Sequence, residues 1–237
     1  LTGAILSGAD LSGTDFSNAI LTSTDLSNAR LDDAKFAGAC LRAASLRDAT
    51  ALGTDFRNAN LLDAEIGGFD LTRCELDSAE LRVESEDFPV HIRHALDEHE
   101  LWIASDGRHG QIGILNGENL SHLNLSGRNL SGMKFVEAKL RKTILADCEL
   151  VLTNFSGADL SGADFRGAVL LGADLSGANL CEAVLQGAVV DEVRMRSAKG
   201  RLTGGTRKPN LSNADLRNAK LKGLDLSLCI TDGALFD

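Results

Sequence analysis

The sequence predicts an all-β solenoid in which the chain turns a corner every five residues. The stretch 154–188 reads NFSGADLSGADFRGAVLLGADLSGANLCEAVLQGA, with an apolar residue at every fifth position and an alanine two positions before most of them. A helix has a period of about 3.6 and a strand a period of about 2, so neither keeps such residues on one face. Stacked coils that turn at each repeat bury both residues and leave open edges only at the two ends.

Phenylalanines spaced by twenty residues indicate four repeats in each coil. Phe16, Phe36 and Phe56 form one such series, and Phe135 and Phe155 form a second. Residues one coil apart stack on each other, so these rings are predicted to form columns inside the solenoid. The predicted core residues are Phe16, Phe36, Phe56, Phe135, Phe155, Leu160, Phe165, Leu175 and Leu180.

The repeated unit A-D/N-L/F-S/T-G resembles that of the pentapeptide-repeat family. The resemblance extends over roughly four fifths of the chain. It implies a right-handed quadrilateral β-helix with four repeats per coil. The repeats form two arrays, a first at residues 1–81 and a second at 114–237, because the pattern stops at Arg82 and resumes out of phase near Leu115.

The segment 82–113 between the arrays is predicted to contain one amphipathic helix at about 89–104. Asp87 is placed as its N-cap and Pro89 in its first turn. We expect this helix to cap the end of a coil, because an open β-helix end is a template for unwanted strand pairing. Its string HALDEHELWIASDGRHG also resembles the lead-in to arrays in pentapeptide-repeat proteins. The capping residues are predicted to be Ile92, Leu96, Trp102 and Ile103.

A second break in the pattern predicts a basic side loop at about 196–208. No acidic residue lies between Val193 and Ala214, so the loop suits an anionic partner, although the preferred interpretation is a mobile, solvated loop. Direct nucleic-acid binding is not expected, because aromatic residues for base stacking are missing. The candidate partner-binding residues are Arg196, Lys199, Arg201, Arg207 and Lys208.

Acidic residues are concentrated in the first array, where 13 Asp and Glu face 6 Lys and Arg. Several of these acids precede a buried position, so they should project outward in columns that imitate duplex phosphates: Asp10, Asp15, Asp25, Asp55 and Asp70. The best-known proteins that the chain resembles mimic DNA at type II topoisomerases and give quinolone resistance. A topoisomerase is therefore one candidate partner, while the alternative is that the acids only keep the rod soluble.

Signatures of catalysis and of cofactor binding are missing from the sequence: it has no nucleophile elbow, phosphate loop or zinc motif. Asp87, His91, His94 and Glu98 share one side of the predicted helix, but we interpret them as a solvated face and predict no metal site. The prediction is a non-catalytic structural or protein-interaction module, with topoisomerase mimicry as the alternative.

The compartment and the context of the chain are inferred from more general features. Five scattered cysteines favour a reducing compartment, so the protein is predicted to be cytoplasmic. No apolar run has the length of a membrane span, and a membrane partner is not expected. Since the chain starts in repeat phase without a methionine, we expect it to be part of a larger bacterial protein.

Overall fold

A computed structural model describes residues 1–81, 83, 88–196 and 202–237. The chain divides into two compact units, Leu1–Pro89 and Val90–Asp237. Both units consist mostly of single β-bridges separated by turns. The longer elements are helix α1 at Val90–Ala104, 3₁₀ helices at Leu71–Arg73 and Leu226–Leu228, and strands β1 at Val193–Arg196 and β2 at Leu202–Arg207.

Each coil takes twenty residues and is joined to the next coil by parallel bridges. Ile5 pairs with Asp25 in the first unit. Ile114 pairs in the same way with Lys134 in the second unit. A bridging residue donates its amide to the preceding coil, as the N–H of Asp25 does to the carbonyl of Ala4 at 2.9 Å. The fold is therefore a β-helix in which the hydrogen-bonded ladders run along the stack.

The Asp or Asn that precedes a buried leucine or phenylalanine builds the turn that follows it. The carboxylate of Asp15 accepts a hydrogen bond from the amide of Ser17 at 2.9 Å. The carboxamide of Asn154 does the same for the amide of Ser156 at 2.9 Å. These Asx turns satisfy the backbone donor at the corner of the coil. The D/N position of the repeat thus has a local structural cause, and Asp and Asn are interchangeable in it.

Leucine, phenylalanine and alanine side chains fill the inside of both units. The rings of Phe16 and Phe36 stack with centroids 5.1 Å apart, those of Phe36 and Phe56 at 5.0 Å, and those of Phe135 and Phe155 at 5.1 Å. Phe16 is partly exposed because it lies in the first coil. The other residues predicted for the core are at most 1% exposed: Phe36, Phe56, Phe135, Phe155, Leu160, Phe165, Leu175 and Leu180.

Small polar residues inside the coils donate hydrogen bonds to backbone carbonyls. The hydroxyl of Thr54 donates to the carbonyl of Leu31 at 2.7 Å. The thiol of Cys148 donates to the carbonyl of Leu125 at 3.0 Å, and burial raises the pKa of this thiol to about 11. A thiol held protonated in this way is a poor nucleophile and a poor metal ligand, so Cys148 serves packing.

The first unit departs from the regular coil where Phe69 occupies a position that other repeats give to a small residue. The ring of Phe69 meets that of Phe56 edge-on at 6.1 Å, and the 3₁₀ helix Leu71–Arg73 follows. The amide of Gly53 bonds to the carbonyl of Arg73 at 3.1 Å, one residue beyond the partner found in regular coils. The coil therefore lengthens locally to accommodate the larger side chain.

Helix α1 places one face against the start of the second unit. Ile92, Leu96 and His99 are buried, whereas Trp102 and Ile103, which were predicted on the same face, are partly exposed. Helical spacing in the sequence already places His99 on the same face as Ile92, Leu96 and Ile103. The helix has fifteen residues, and no helix in the described ranges is long and apolar enough to cross a membrane.

Two hydrogen bonds join α1 to the segment that leads into the first repeat of the second unit. The amide of Gln111 donates to the carbonyl of Glu98 at 3.2 Å. The amide of Gly113 donates to Nδ1 of the His99 ring at 3.3 Å. Gly110, directly before Gln111, has a φ of 70°, and a Cβ atom there would collide with the carbonyl oxygen of Glu98. The junction therefore depends on a buried imidazole and on a glycine.

The buried imidazole of His99 makes this junction sensitive to pH. Its ring stacks on Trp102 with centroids 5.9 Å apart, and burial lowers the pKa of His99. The unfolded state therefore takes up the proton first as the pH falls. The stability that neutral His99 contributes is complete above the unfolded pKa of about 6.5 and is lost as the pH falls from there toward the lower folded pKa.

We expect hydrogen exchange of the α1 amides, corrected for intrinsic rates, to accelerate when the pH is lowered from about 7 to about 5. His99→Gln keeps an acceptor for the amide of Gly113 but cannot take up a proton, so it should remove this acceleration. His94→Gln changes an exposed histidine of the same helix and should leave the acceleration in place. Equal pH dependence in both variants would contradict the assignment.

Candidate interaction site

A β-hairpin leaves the second unit between two of its coils. Strands β1 and β2 pair antiparallel, with Val193 opposite Arg207. The stack continues past the hairpin, because Asp174 bridges to Asn210, which lies thirty-six residues later instead of twenty. The insertion therefore leaves the ladder intact and extends from its side. The side loop predicted at about 196–208 overlaps this hairpin, whose first strand begins earlier, at Val193.

The base of the hairpin packs against one corner of the coils. Gly172 is buried there with a φ of 61°. A Cβ atom on Gly172 would meet Cγ1 of Val193 at 2.5 Å, and it would meet Cδ2 of Leu152 and the carbonyl oxygen of Arg207 at 3.1 Å each. The amide of Gly172 also donates to the carbonyl of Asp191 at 3.1 Å. The hairpin is thus seated on the solenoid and not merely tethered to it.

Asp174, which precedes the insertion, contacts residues at its end. Its carboxylate accepts hydrogen bonds from the side chain of Asn210 at 3.2 Å and from the amide of Ser176 at 3.1 Å. It also lies 3.5 Å from the guanidinium of Arg207, and the side chain of Asp174 is 21% exposed. This partly buried carboxylate therefore fixes the end of β2 to the coil that the chain has just left.

The structure places the predicted partner-binding residues as follows. Arg207 ends β2 and Lys208 follows it, both exposed, and Arg196 ends β1. Lys199 and Arg201 lie outside the described residues. Three of the five predicted residues therefore lie in the hairpin or directly after it, and an ion pair with Asp174 holds Arg207 in place.

Sequence reasoning missed the residues that seat the hairpin. Val151 and Leu152, with Leu171 one coil later, put apolar side chains at a corner where many other repeats have serine, glycine or charged residues. Corner positions point outward, so apolar residues on two successive levels indicate that something covers them. That signal was available in the sequence and points to the place where Val193 packs.

The helix residues considered as metal ligands are not brought together. His91 pairs with Glu118 through Nε2 and Oε2 at 3.1 Å, whereas His94 and Glu98 line a separate cleft of about 230 Å³. Asp87 lies outside the described residues. Within the part of the chain that the structure describes, no group of three or more His, Cys, Asp or Glu side chains could hold a metal ion.

The outward columns of the first unit mix charges of both signs. Asp10 lies 3.2 Å from Arg30, its neighbour one coil later. Arg57 contacts Asp55 at 2.7 Å and Glu75 at 3.3 Å. The hydrogen bonds from Arg57 hold the pKa of Asp55 below its ordinary value. Cations therefore interrupt some of these columns of carboxylates, which reduces their likeness to a row of phosphates.

Five-residue repeats wound into a β-helix, with one hairpin inserted between coils, define a repeat solenoid protein. The chain belongs to the pentapeptide repeat family, because the family model matches residues 1–38, 9–48, 39–77, 119–157, 148–187, 158–196 and 210–230. No curated protein matches the chain at a significant level.

Several solved pentapeptide repeat structures are similar to the chain. One, from the thylakoid lumen of Arabidopsis thaliana, is 33% identical over 46% of this chain and 61% of its own, with a TM-score of 0.35. HetL, involved in heterocyst differentiation regulation in the cyanobacterium Nostoc sp. strain PCC 7120, is 23% identical over 98% of this chain and 85% of its own, with a TM-score of 0.27. QnrB1, a plasmid-mediated fluoroquinolone resistance protein, is 15% identical over 100% and 91%, with a TM-score of 0.26.

Gly172→Ala is expected to loosen the hairpin. Gly177→Ala is a matched control, since Gly177 has a similar φ of 65° but nothing within 4 Å of the added Cβ. The control should cost about 1–2 kcal/mol of unfolding free energy for the left-handed conformation alone. Gly172→Ala should cost at least about 1 kcal/mol more and shift the amide resonances of Gly204 and Gly205. Equal costs with unmoved resonances would contradict the seating of the hairpin.

Proposed function

We propose that this protein is a non-catalytic interaction module in which a solenoid presents the hairpin β1–β2 to a protein partner. We also propose that the coils are right-handed and quadrilateral, which the four turns in each twenty-residue coil support. The observation that carries the functional proposal is the seating of the hairpin at Gly172. A basic segment held in place by packing and by an ion pair loses less conformational entropy on binding than a free loop.

The distribution of side chains supports the same function. The interior is filled mainly by leucine, phenylalanine and alanine, so most polar side chains of the coils face outward. The hairpin adds exposed cations, Arg194 and Lys208, beside the corner that carries Val193. A surface that combines fixed charge with apolar contact area is typical of protein recognition.

A photo-cross-linking amino acid at Thr206, an exposed position of β2, tests this function in the cells from which the protein comes. The matched control carries the same amino acid at Gln186, which is exposed on a neighbouring corner of the second unit. We expect one defined protein adduct from Thr206 and none from Gln186. The absence of an adduct, or equal adducts from both positions, would remove the hairpin as the contact surface.

Mimicry of DNA at a type II topoisomerase is the second candidate function. The excess of 13 acidic over 6 basic residues in the first array favours it, whereas the cations interleaved in the outward columns weaken it. A gyrase supercoiling assay distinguishes the two candidates. Inhibition by the protein, or protection of gyrase from a quinolone, would support mimicry. Supercoiling unaffected by a molar excess of the protein would eliminate it.

A further inference from the structure

The outer edge of β2 is an exposed strand edge in the hairpin. In the described ranges β2 pairs with β1 alone, in a two-stranded sheet. Gly204 and Gly205 are both exposed, and a Cβ atom on Gly204 would meet nothing within 4 Å. Natural proteins usually blunt such edges with proline, bulky charge or a covering segment. The two exposed glycines carry no side chain that would block the approach of another strand to this edge.

A cleft is lined by residues of both strands of the hairpin, including the two exposed glycines of β2. Arg194, Met195, Gly204, Gly205 and Thr206 line a cavity of about 220 Å³. Met195 is the only hydrophobic side chain among these five residues, and it is partly exposed. A thioether adapts its shape to the group that contacts it, so such a cleft accepts an apolar side chain of an added strand.

The charges of the hairpin indicate which kind of peptide segment would bind as an added strand. Arg194 and Lys208 are exposed, and Arg207 is held at the base by Asp174. No acidic residue lies between Val193 and Ala214 in the sequence. Exposed cations beside a strand edge favour a partner segment that carries carboxylates, because complementary charge steers association and sets register.

We propose that the outer edge of β2 binds an extended, acidic segment of a protein partner by strand addition. The backbone of the segment pairs with β2, one apolar side chain enters the cleft over Met195, and carboxylates pair with Arg194 and Lys208. This inference rests on the proposed interaction function and specifies the class of partner. A nucleic acid is the less suitable occupant, because the strands VRMR and LTGGTR offer no aromatic side chain for base stacking.

The probe is a fluorescein-labelled peptide of about ten residues that alternates glutamate with valine, matching the length of a strand. Fluorescence anisotropy with the whole chain should show binding that weakens as salt is added. The double variant Arg194→Glu, Lys208→Glu should weaken binding at least tenfold. Lys222→Glu, which reverses an exposed charge elsewhere in the second unit, should leave it unchanged. Circular dichroism should show that all variants remain folded.

Strand addition is separated from simple charge attraction by changing the peptide and not the protein. Methylating the amide nitrogens of alternate residues, in both registers, removes the donors that an added strand offers along one edge. At least one register should lose binding tenfold or more. Equal binding by both methylated peptides and the parent would overturn strand addition, as would no binding of the parent peptide.

A labelled DNA duplex serves as the competing ligand. Hairpin-dependent binding of the duplex that is tighter than that of the peptide would overturn the assignment to an acidic protein segment. Failure of this inference can also be distinguished from failure of the proposed function. A cross-link at Thr206 without peptide binding would contradict only the inference of an acidic added strand. The absence of a cross-link would contradict the proposed interaction surface itself.

Discussion

Replacing Phe36 with alanine is expected to lower the unfolding free energy of the first unit by about 3–5 kcal/mol. Phe36 is fully buried, and its ring is stacked between those of Phe16 and Phe56 at 5.1 and 5.0 Å. Removing the ring leaves a cavity in the middle of a column, and the coils above and below cannot close it without breaking the ladder between them. Urea denaturation followed by circular dichroism measures the loss.

Phe16→Ala is the matched control for this prediction. Phe16 belongs to the same column but is partly exposed, so its replacement removes less buried area and should cost clearly less. Similar losses for the two variants, or a loss below about 1 kcal/mol for Phe36→Ala, would show that the stacked rings do not support the unit.

Gly110→Ala should detach α1 from the segment that precedes the first repeat of the second unit. The added Cβ would collide with the carbonyl oxygen of Glu98 and lie 2.8 Å from the backbone nitrogen of Trp102, both of which are backbone atoms of the helix. We expect a loss of at least about 2 kcal/mol beyond the cost of the left-handed conformation. The protein has one tryptophan, so fluorescence of Trp102 reports on this junction.

Gly117→Ala provides the control for the junction. Gly117 has a φ of 69°, almost that of Gly110, and an added Cβ there meets nothing within 4 Å. It should therefore pay only the conformational cost of about 1–2 kcal/mol and leave the Trp102 fluorescence unchanged. Indistinguishable denaturation curves for the two variants would mean that the helix is not held at Gly110.

The periodicity of the sequence predicted the coils, because a chain that turns at every fifth residue and stacks its coils buries the apolar residue of each repeat. Phe36 and Phe56 already indicated the length of a coil, since identical residues one coil apart stack. The helix was predicted at about 89–104, and α1 spans Val90–Ala104. These features depend on local pattern, which a single sequence displays directly.

The candidate site was less predictable because it depends on contacts between distant residues. The strands VRMR and LTGGTR are short and rich in glycine or charge, so neither carries a clear strand pattern. The seating of the hairpin joins Gly172 to Val193 and Arg207, a contact that no local pattern displays. The hydrogen bond from Gly113 to His99 is a contact of the same kind.

The acidic residues show how a pattern can suggest function when its cause is local. The aspartates before buried positions suggested an imitation of phosphates. The structure shows that Asp15 and its equivalents accept the amide of the following turn, a role that Asn154 fills equally well. Turn geometry therefore does not explain why the first array has Asp more often than Asn at this position.

Residue-resolved hydrogen exchange along 154–188 tests the coiled backbone most directly. Four amides of a regular repeat bond to backbone carbonyls, as those of Gly157, Ala158, Asp159 and Leu160 do, while the amide of Ser161 bonds to a side chain. We expect fast exchange at every fifth residue, including Ser161 and Ser176, and slow exchange at the amides between them that bond to backbone carbonyls. Uniform protection, or protection with the period of an α-helix, would contradict it.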